Sequence, residues 1–258
     1  MVSTYTSYLT ITRDIDLSLE RVESQPFVQR ETEYYLENIE NVKSIDEFVG
    51  DRRLFNYAMK AFGLEDMAYA KAFMVKLLEE GVEDSESFAN TLSDQRYKDF
   101  AETFDFARYG ETATVFDRTR QGTVDKYLRQ TLEQDAGETN EGVRLALYFE
   151  RKAPDLTSMY GVLADTALAK VVRTSFGLPD SFALLDIDKQ VEILEKKLDI
   201  EDLEDPEVLS KFLTRFTSLW EIENPTTSSV SNLSVLFGQP TEFGISTDVL
   251  LTIQQLKF

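Results

Sequence analysis

The chain contains neither cysteine nor histidine in 258 residues. Without cysteine there is no disulfide framework, no thiolate nucleophile and no Cys-ligated metal. Without histidine the commonest general base, the commonest metal ligand and the switch near neutral pH are gone. Ser-His-Asp and Cys-His schemes cannot be assembled. Basic residues are also scarce, with 27 Lys+Arg against 47 Asp+Glu and a net charge of -20. No basic run exceeds two adjacent residues. Neutralising phosphates requires a face with excess Lys and Arg, so nucleic acid is excluded as a partner and an anionic membrane surface is disfavoured. No apolar run approaches the roughly 20 residues of a membrane span. The N-terminus, MVSTYTSYLTITRD, lacks a basic stretch followed by an apolar one. The expectation is a cytoplasmic chain with no membrane insertion. The glycines never gather into a phosphate-cradling loop.

What is present is apolar enough to fold: 42% hydrophobic and 12% aromatic, which rules out general disorder despite the charge. At this length one large domain or two modest ones can each bury a core. The most informative pattern is a repeat. Asp51 to Asp66 reads DRRLFNYAMKAFGLED, and Asp165 to Asp180 reads DTALAKVVRTSFGLPD. Both open on Asp, carry Leu at the fourth place and finish Phe-Gly-Leu-x-Asp. YYLENI before the first answers LYFERK before the second, and Asp84 to Phe88 answers Asp205 to Leu209 more loosely.

Hydrophobic spacing is helical almost throughout. Ile11, Ile15, Leu19 and Val22 form one stripe, Ser24 then Pro26 reads as a helix start, and Ser44 with Glu47 has capping-box spacing. Gly63 and Gly81 read as helix stops. Residues 107 to 123 form the join, Val124 to Gln134 is helical, and Ala136 to Asn140 is a break. Helices follow over Thr157 to Ser175, Asp188 to Leu198 and from Pro206 through Trp220. After Asn224 a Ser/Thr-rich loop precedes a short helix from Asp248 to Leu256. The expected fold is all-α, a compact multi-helix bundle of two related helical units. Its parts are an N-terminal segment (1–26), a first unit (27–106), a connector (107–143), a second unit (144–222) and a C-terminal loop and helix (223–258).

Carboxylates are the only acid–base equipment left. The cluster Asp199, Glu201, Asp202, Glu204 and Asp205 has Leu203 at a ligand place and no glycine, which spoils a calcium loop. It reads as an interhelical turn with caps. Asp186 and Asp188 fail as a calcium loop too, with Val191 where glycine belongs. The Phe-Gly-Leu segments read as capped helix ends with Phe inward rather than twin binding loops. Tyr34, Tyr35, Tyr148 and Phe149 read as core. Arg52, Arg53 and Arg144 read as partners of local carboxylates such as Asp46 or Glu141. No residue is assigned as catalytic, cofactor-binding or metal-ligating, and no cofactor is expected.

The phrases RETEYYLENI, VKSIDEFVGDRRLFNYAMKAFGLEDMAYAKAFMVKLLEEG, SFANTLSDQRYKDFAETFDFA, NEGVRLALYFERKAPDL and YGVLADTALAKVVRTSFGLP carry a resemblance. From about Arg13 to Trp220 the chain resembles an alphaproteobacterial domain-of-unknown-function family. The resemblance implies an all-helical fold and genes that often lie in flagellar clusters, with no catalytic or ligand residue to carry over. The first reading is a non-enzymatic, flagellum-associated structural or protein-interaction protein: a component, export substrate or assembly factor. The alternative is a cytosolic acidic adaptor or chaperone-like regulator that holds a basic partner. A carboxylate-only hydrolase is a third. A protein partner is expected in the first two, met either through its basic groups or, as the favoured mode, on an apolar face such as one left open by the Ser/Thr-rich loop and the Asp248 to Leu256 helix.

Overall fold

The computed structural model describes residues 3–225, and the expected loop and helix after Asn224 lie almost wholly outside them. Fifteen α-helices and six short 3-10 turns account for the described fold, and no strand occurs among the described residues. The fold is all-α.

The first helices are α1 (Thr4–Thr12) and α2 (Ile15–Glu23). The stripe from Ile11 to Val22 is therefore not one helix. Asp14 breaks it, because its side chain accepts the Leu17 amide (3.0 Å) and starts α2 as an N-cap. Next come α3 (Pro26–Ile39), α4 (Ile45–Gly50), α5 (Arg52–Ala61), α6 (Lys71–Glu80), α7 (Phe88–Thr91), α8 (Gln95–Phe104) and α9 (Phe106–Tyr109). Pro26 opens α3 as expected, but Ser24 closes α2 instead of capping α3. Ser44 accepts the Glu47 amide, while the Glu47 carboxylate reaches back to the Lys43 amide, one residue earlier than a standard capping box.

Residues 110–119 form two 3-10 turns. They lead into α10 (Gln121–Thr139) and α11 (Glu141–Lys152). The expected break at Ala136 to Asn140 is narrower than its composition suggests. Gly137 stays helical, with its missing Cβ filled by the Arg144 side chain. Only Asn140 interrupts the helices, and its side chain accepts the Gly142 amide to start α11. The second run is α12 (Met159–Ala164), α13 (Thr166–Ser175), α14 (Ile187–Glu195) and α15 (Pro206–Glu223).

Two hydrophobic cores result. The first gathers Tyr35, Phe48, Phe55, Phe100 and Phe104 and takes Val124, Tyr127, Leu128 and Leu132 from α10. The second is built around Phe149, Val162, Val172, Leu194, Phe216 and Trp220. The N-terminal helices tie the two together. Tyr8 of α1 belongs to the second core, Val22 of α2 to the first, and Ile11 packs against both. At the start of α11 the backbone of Gly142 lies flush on the Trp220 ring, where a Cβ would come within 2.3 Å.

The two runs also agree in local detail. Asp51 caps α5 by accepting the Arg53 and Leu54 amides, and Asp165 caps α13 by accepting those of Ala167 and Leu168. The Tyr34 hydroxyl donates to Asp51 (2.7 Å) and the Tyr148 hydroxyl to Asp165 (2.5 Å). Ser44 caps α4 as Ser158 caps α12. Asp205 caps α15 and Asp94 caps α8, while Asp84 accepts the Glu86 amide ahead of α7. Phe100 then stands against Phe62 as Phe212 stands against Phe176.

Candidate functional site

The Phe-Gly-Leu segments are helix ends. In the first, Gly63 has φ +67°, its amide donates to the Lys60 carbonyl and the Leu64 amide to the Met59 carbonyl. In the second, Gly177 has φ +61° and the bonds are Gly177 to Thr174 and Leu178 to Arg173. This pair of bonds satisfies the last carbonyls of a helix, and it needs the left-handed backbone glycine adopts without strain. Phe62 is buried as expected. Phe176 is less completely buried, and among the described residues α13 packs chiefly on α11, α12 and α15. Tyr35 and Phe149 are fully buried core residues.

The acidic clusters are committed to structure. Asp199 accepts the Glu201 amide (3.1 Å) and Asp205 the Glu207 amide (2.8 Å), so that cluster is the capped turn its sequence suggests. Asp186 accepts the Asp188 amide and caps α14, while Asp188 accepts the Tyr160 hydroxyl. Arg144 pairs with Glu141 as expected, but Arg53 turns to Glu31 (2.9 Å) instead of Asp46. No group of acidic residues among the described ones is arranged to hold a metal ion.

The densest charge network was not foreseen. Between α10 and α11, Glu133 is only 2% exposed. Arg151 grips it through two bonds (2.6 and 2.8 Å), and Arg129 adds a third at 3.2 Å. Arg129 also donates to the Leu147 carbonyl and lies 3.8 Å from Glu150. Burial works against the Arg151 charge, but the bonds to Glu133 outweigh it and raise its pKa. Burial raises the Glu150 carboxyl above its ordinary value, with Arg129 and the Tyr8 hydroxyl pulling the other way. Lys152 and Asp99 add a tie between α11 and α8 (3.3 Å). These charges join the two cores; their partners fix helix against helix.

A glycosidase-type pair needs two carboxyls about 5–9.5 Å apart across a cleft. The groove of about 420 Å³ between α1 and the start of α15 holds one carboxyl, Glu150, among Tyr8, Leu9, Thr12, Arg13, Pro206, Leu209 and Ser210. It lacks the second.

The surface carries an apolar corner in the second run. Leu184 is 87% exposed, with Leu185, Ile187 and Tyr160 also open. The Tyr160–Asp188 bond (2.8 Å) joins α12, which carries Tyr160, to α14, which carries Ile187, while Leu184 ends a 3-10 turn and Leu185 follows it. Asp180, Asp186 and Asp188 stand in the same 3-10 turn and helix start, so acidic side chains flank the apolar ones, with Lys189 among them and Arg173 on Asp180 (3.7 Å). No helix among the described residues is long and apolar enough to cross a membrane.

A family model described as a protein of unknown function (DUF1217) matches residues 61–209. No curated protein matches the chain. The crystal structure of protein AGR_C_984 from Agrobacterium tumefaciens, an alphaproteobacterium, is similar at 56% identity, covers 87% of this chain and 98% of that one, and has a TM-score of 0.80. With more than half its length matched by that model, the chain belongs to the DUF1217 family.

Proposed function

We infer that this protein is a non-enzymatic, protein-binding part of the bacterial flagellum or of its assembly, built from two copies of one helical unit. The observation that carries the binding role is the corner of Tyr160, Leu184, Leu185 and Ile187. Large apolar side chains left open together mark recognition sites rather than ordinary surface. The flanking acidic side chains select a partner segment whose apolar residues are flanked by Lys or Arg. Support for a non-enzymatic role comes from the carboxylates, which serve as caps and ion pairs. The flagellar setting rests on the resemblance to a family whose genes often lie in flagellar clusters. The two-copy reading is supported by the matched caps and matched Tyr–Asp bonds of the two runs.

Capture from lysate with the full chain tests this reading. Flagellar rod, hook, filament or export proteins should be retained, and the double variant Leu184→Asp/Leu185→Asp should lose them. Because apolar contact dominates, retention should survive salt near 1 M, where the Debye length is about 3 Å. Capture unaffected by the double variant, or no flagellar protein at either salt, would overturn it.

A further inference from the structure

We propose that the groove between α1 and the start of α15 receives one lysine side chain of a partner protein, with the Glu150 carboxyl taking its ammonium group. Three helices build the groove. α1 lies antiparallel along α15, so that the Thr4 amide donates to Glu221 (2.7 Å) towards one end, while Thr12 and Arg13 meet Pro206 and Leu209 at the other. α11 sets Glu150 between them, with the Tyr8 hydroxyl beside its carboxyl. At about 420 Å³ the groove falls within the range of sites that enclose small ligands, about 300–1,000 Å³.

Glu150 is short of donors. Its Oε2 atom is buried with no hydrogen-bond partner among the described residues. Arg129 stands 3.8 Å away, beyond hydrogen-bond reach, and its guanidinium is engaged by Glu133 (3.2 Å) and by the Leu147 carbonyl (3.1 Å). Buried polar atoms are almost always bonded, so an exception marks a place where a donor is wanted. The side chain is still 33% exposed, which leaves the carboxyl open to approach from the groove. Burial raises its pKa in spite of Arg129 and the Tyr8 hydroxyl, the sign of a charge its surroundings compensate incompletely.

The lining selects lysine. An ammonium is a compact charge with three donors, and its four-carbon stem buries well along apolar surface such as Leu9, Pro206 and Leu209. The flat fork of arginine wants both carboxylate oxygens side by side, and here Oε2 is turned inward to Arg129. The net charge of -20 draws basic segments to the surface. Arg13, exposed at the groove and paired with no described carboxylate, competes with the entering lysine. The groove shares no residue with the Leu184 corner, so either site can fail alone.

The test titrates Nα-acetyl-lysine N-methylamide into the full chain carrying ¹³C-labelled leucine methyl groups, near pH 7. Saturable shifts of the Leu9 and Leu209 signals are expected, and none with the same probe acetylated at Nε, which keeps the stem and loses the charge. Glu150→Gln, checked by circular dichroism for unchanged helix content, should weaken binding about tenfold, the loss of a charge-assisted hydrogen bond. Arg13→Gln should tighten it, a gain that a merely structural role for these side chains would not give. The absence of a saturable shift, equal binding of the acetylated probe, binding unchanged by Glu150→Gln, or binding not tightened by Arg13→Gln would each overturn the proposal. So would tighter binding of the corresponding arginine probe or of the free diamine cadaverine.

Discussion

Glu133→Ala is expected to destabilise the protein by about 3–5 kcal/mol, the cost of breaking a buried ion pair by removing one partner. The loss comes less from the bonds themselves than from what remains. Arg151 would lose its carboxylate partner, and Arg129 would keep only Glu150 at 3.8 Å. The Arg151 guanidinium, its pKa raised, stays charged, so it cannot escape by losing its proton. Glu133→Gln should cost less, because the amide oxygen still accepts a bond. Replacing Glu133 and Arg151 together with apolar residues of similar volume should recover much of the loss, since a whole buried pair is often dispensable. Urea unfolding followed by circular dichroism reads the result as a lower midpoint at unchanged slope. A shift worth less than about 1 kcal/mol, the range of surface pairs, would mean that water reaches the network.

The second large effect is an asymmetry between twin residues. Phe62→Ala should cost about 3–5 kcal/mol, as for a fully enclosed ring. Phe62 is 8% exposed, stands edge-on to Phe100 (5.3 Å between ring centres) and meets Phe104 at 6.1 Å, with Lys126 of α10 over its face. Among the described residues Phe176 has one aromatic neighbour, Phe212 at 6.0 Å, and the cations of Lys197 and Arg215 around it. Its ring is partly exposed, so Phe176→Ala should cost less than Phe62→Ala but more than half as much, in proportion to the apolar area it hides. The same urea measurement decides it. Equal losses would mean that the second ring is as enclosed as the first.

That asymmetry shows where sequence reading stops. Helix ends are legible because their causes are local. Asp51, Asp165 and Asp205 cap through amides two or three residues away, and Gly63 and Gly177 stop helices through bonds spanning five residues. The all-helical fold follows from such signals plus the apolar spacing. The covering of Phe62 by α10 depends on which helix packs where, which two similar segments cannot reveal. Glu133 and Arg151 lie 18 positions apart on different helices, and in a chain with 47 acidic residues nothing in their spacing marks them. The break at Asp14 was legible in principle, since Asp is a favoured N-cap. The apolar stripe from Ile11 to Val22 hid it, because its period runs through the break. The apolar corner was missed for a different reason. Leu184, Leu185 and Ile187 look like core in sequence, and only the fold shows that they are exposed, with no helix among the described residues covering them.

The flagellar role is the central claim, and a deletion strain tests it most directly. The measurement is the number and length of flagella by electron microscopy, with swimming recorded alongside, in cells lacking this gene and in cells carrying it back. Fewer, shorter or absent flagella and impaired swimming, restored by the intact gene but not by the Leu184→Asp/Leu185→Asp form, are the predicted result. Flagella of normal number and length with unimpaired swimming in the deletion strain would contradict the account.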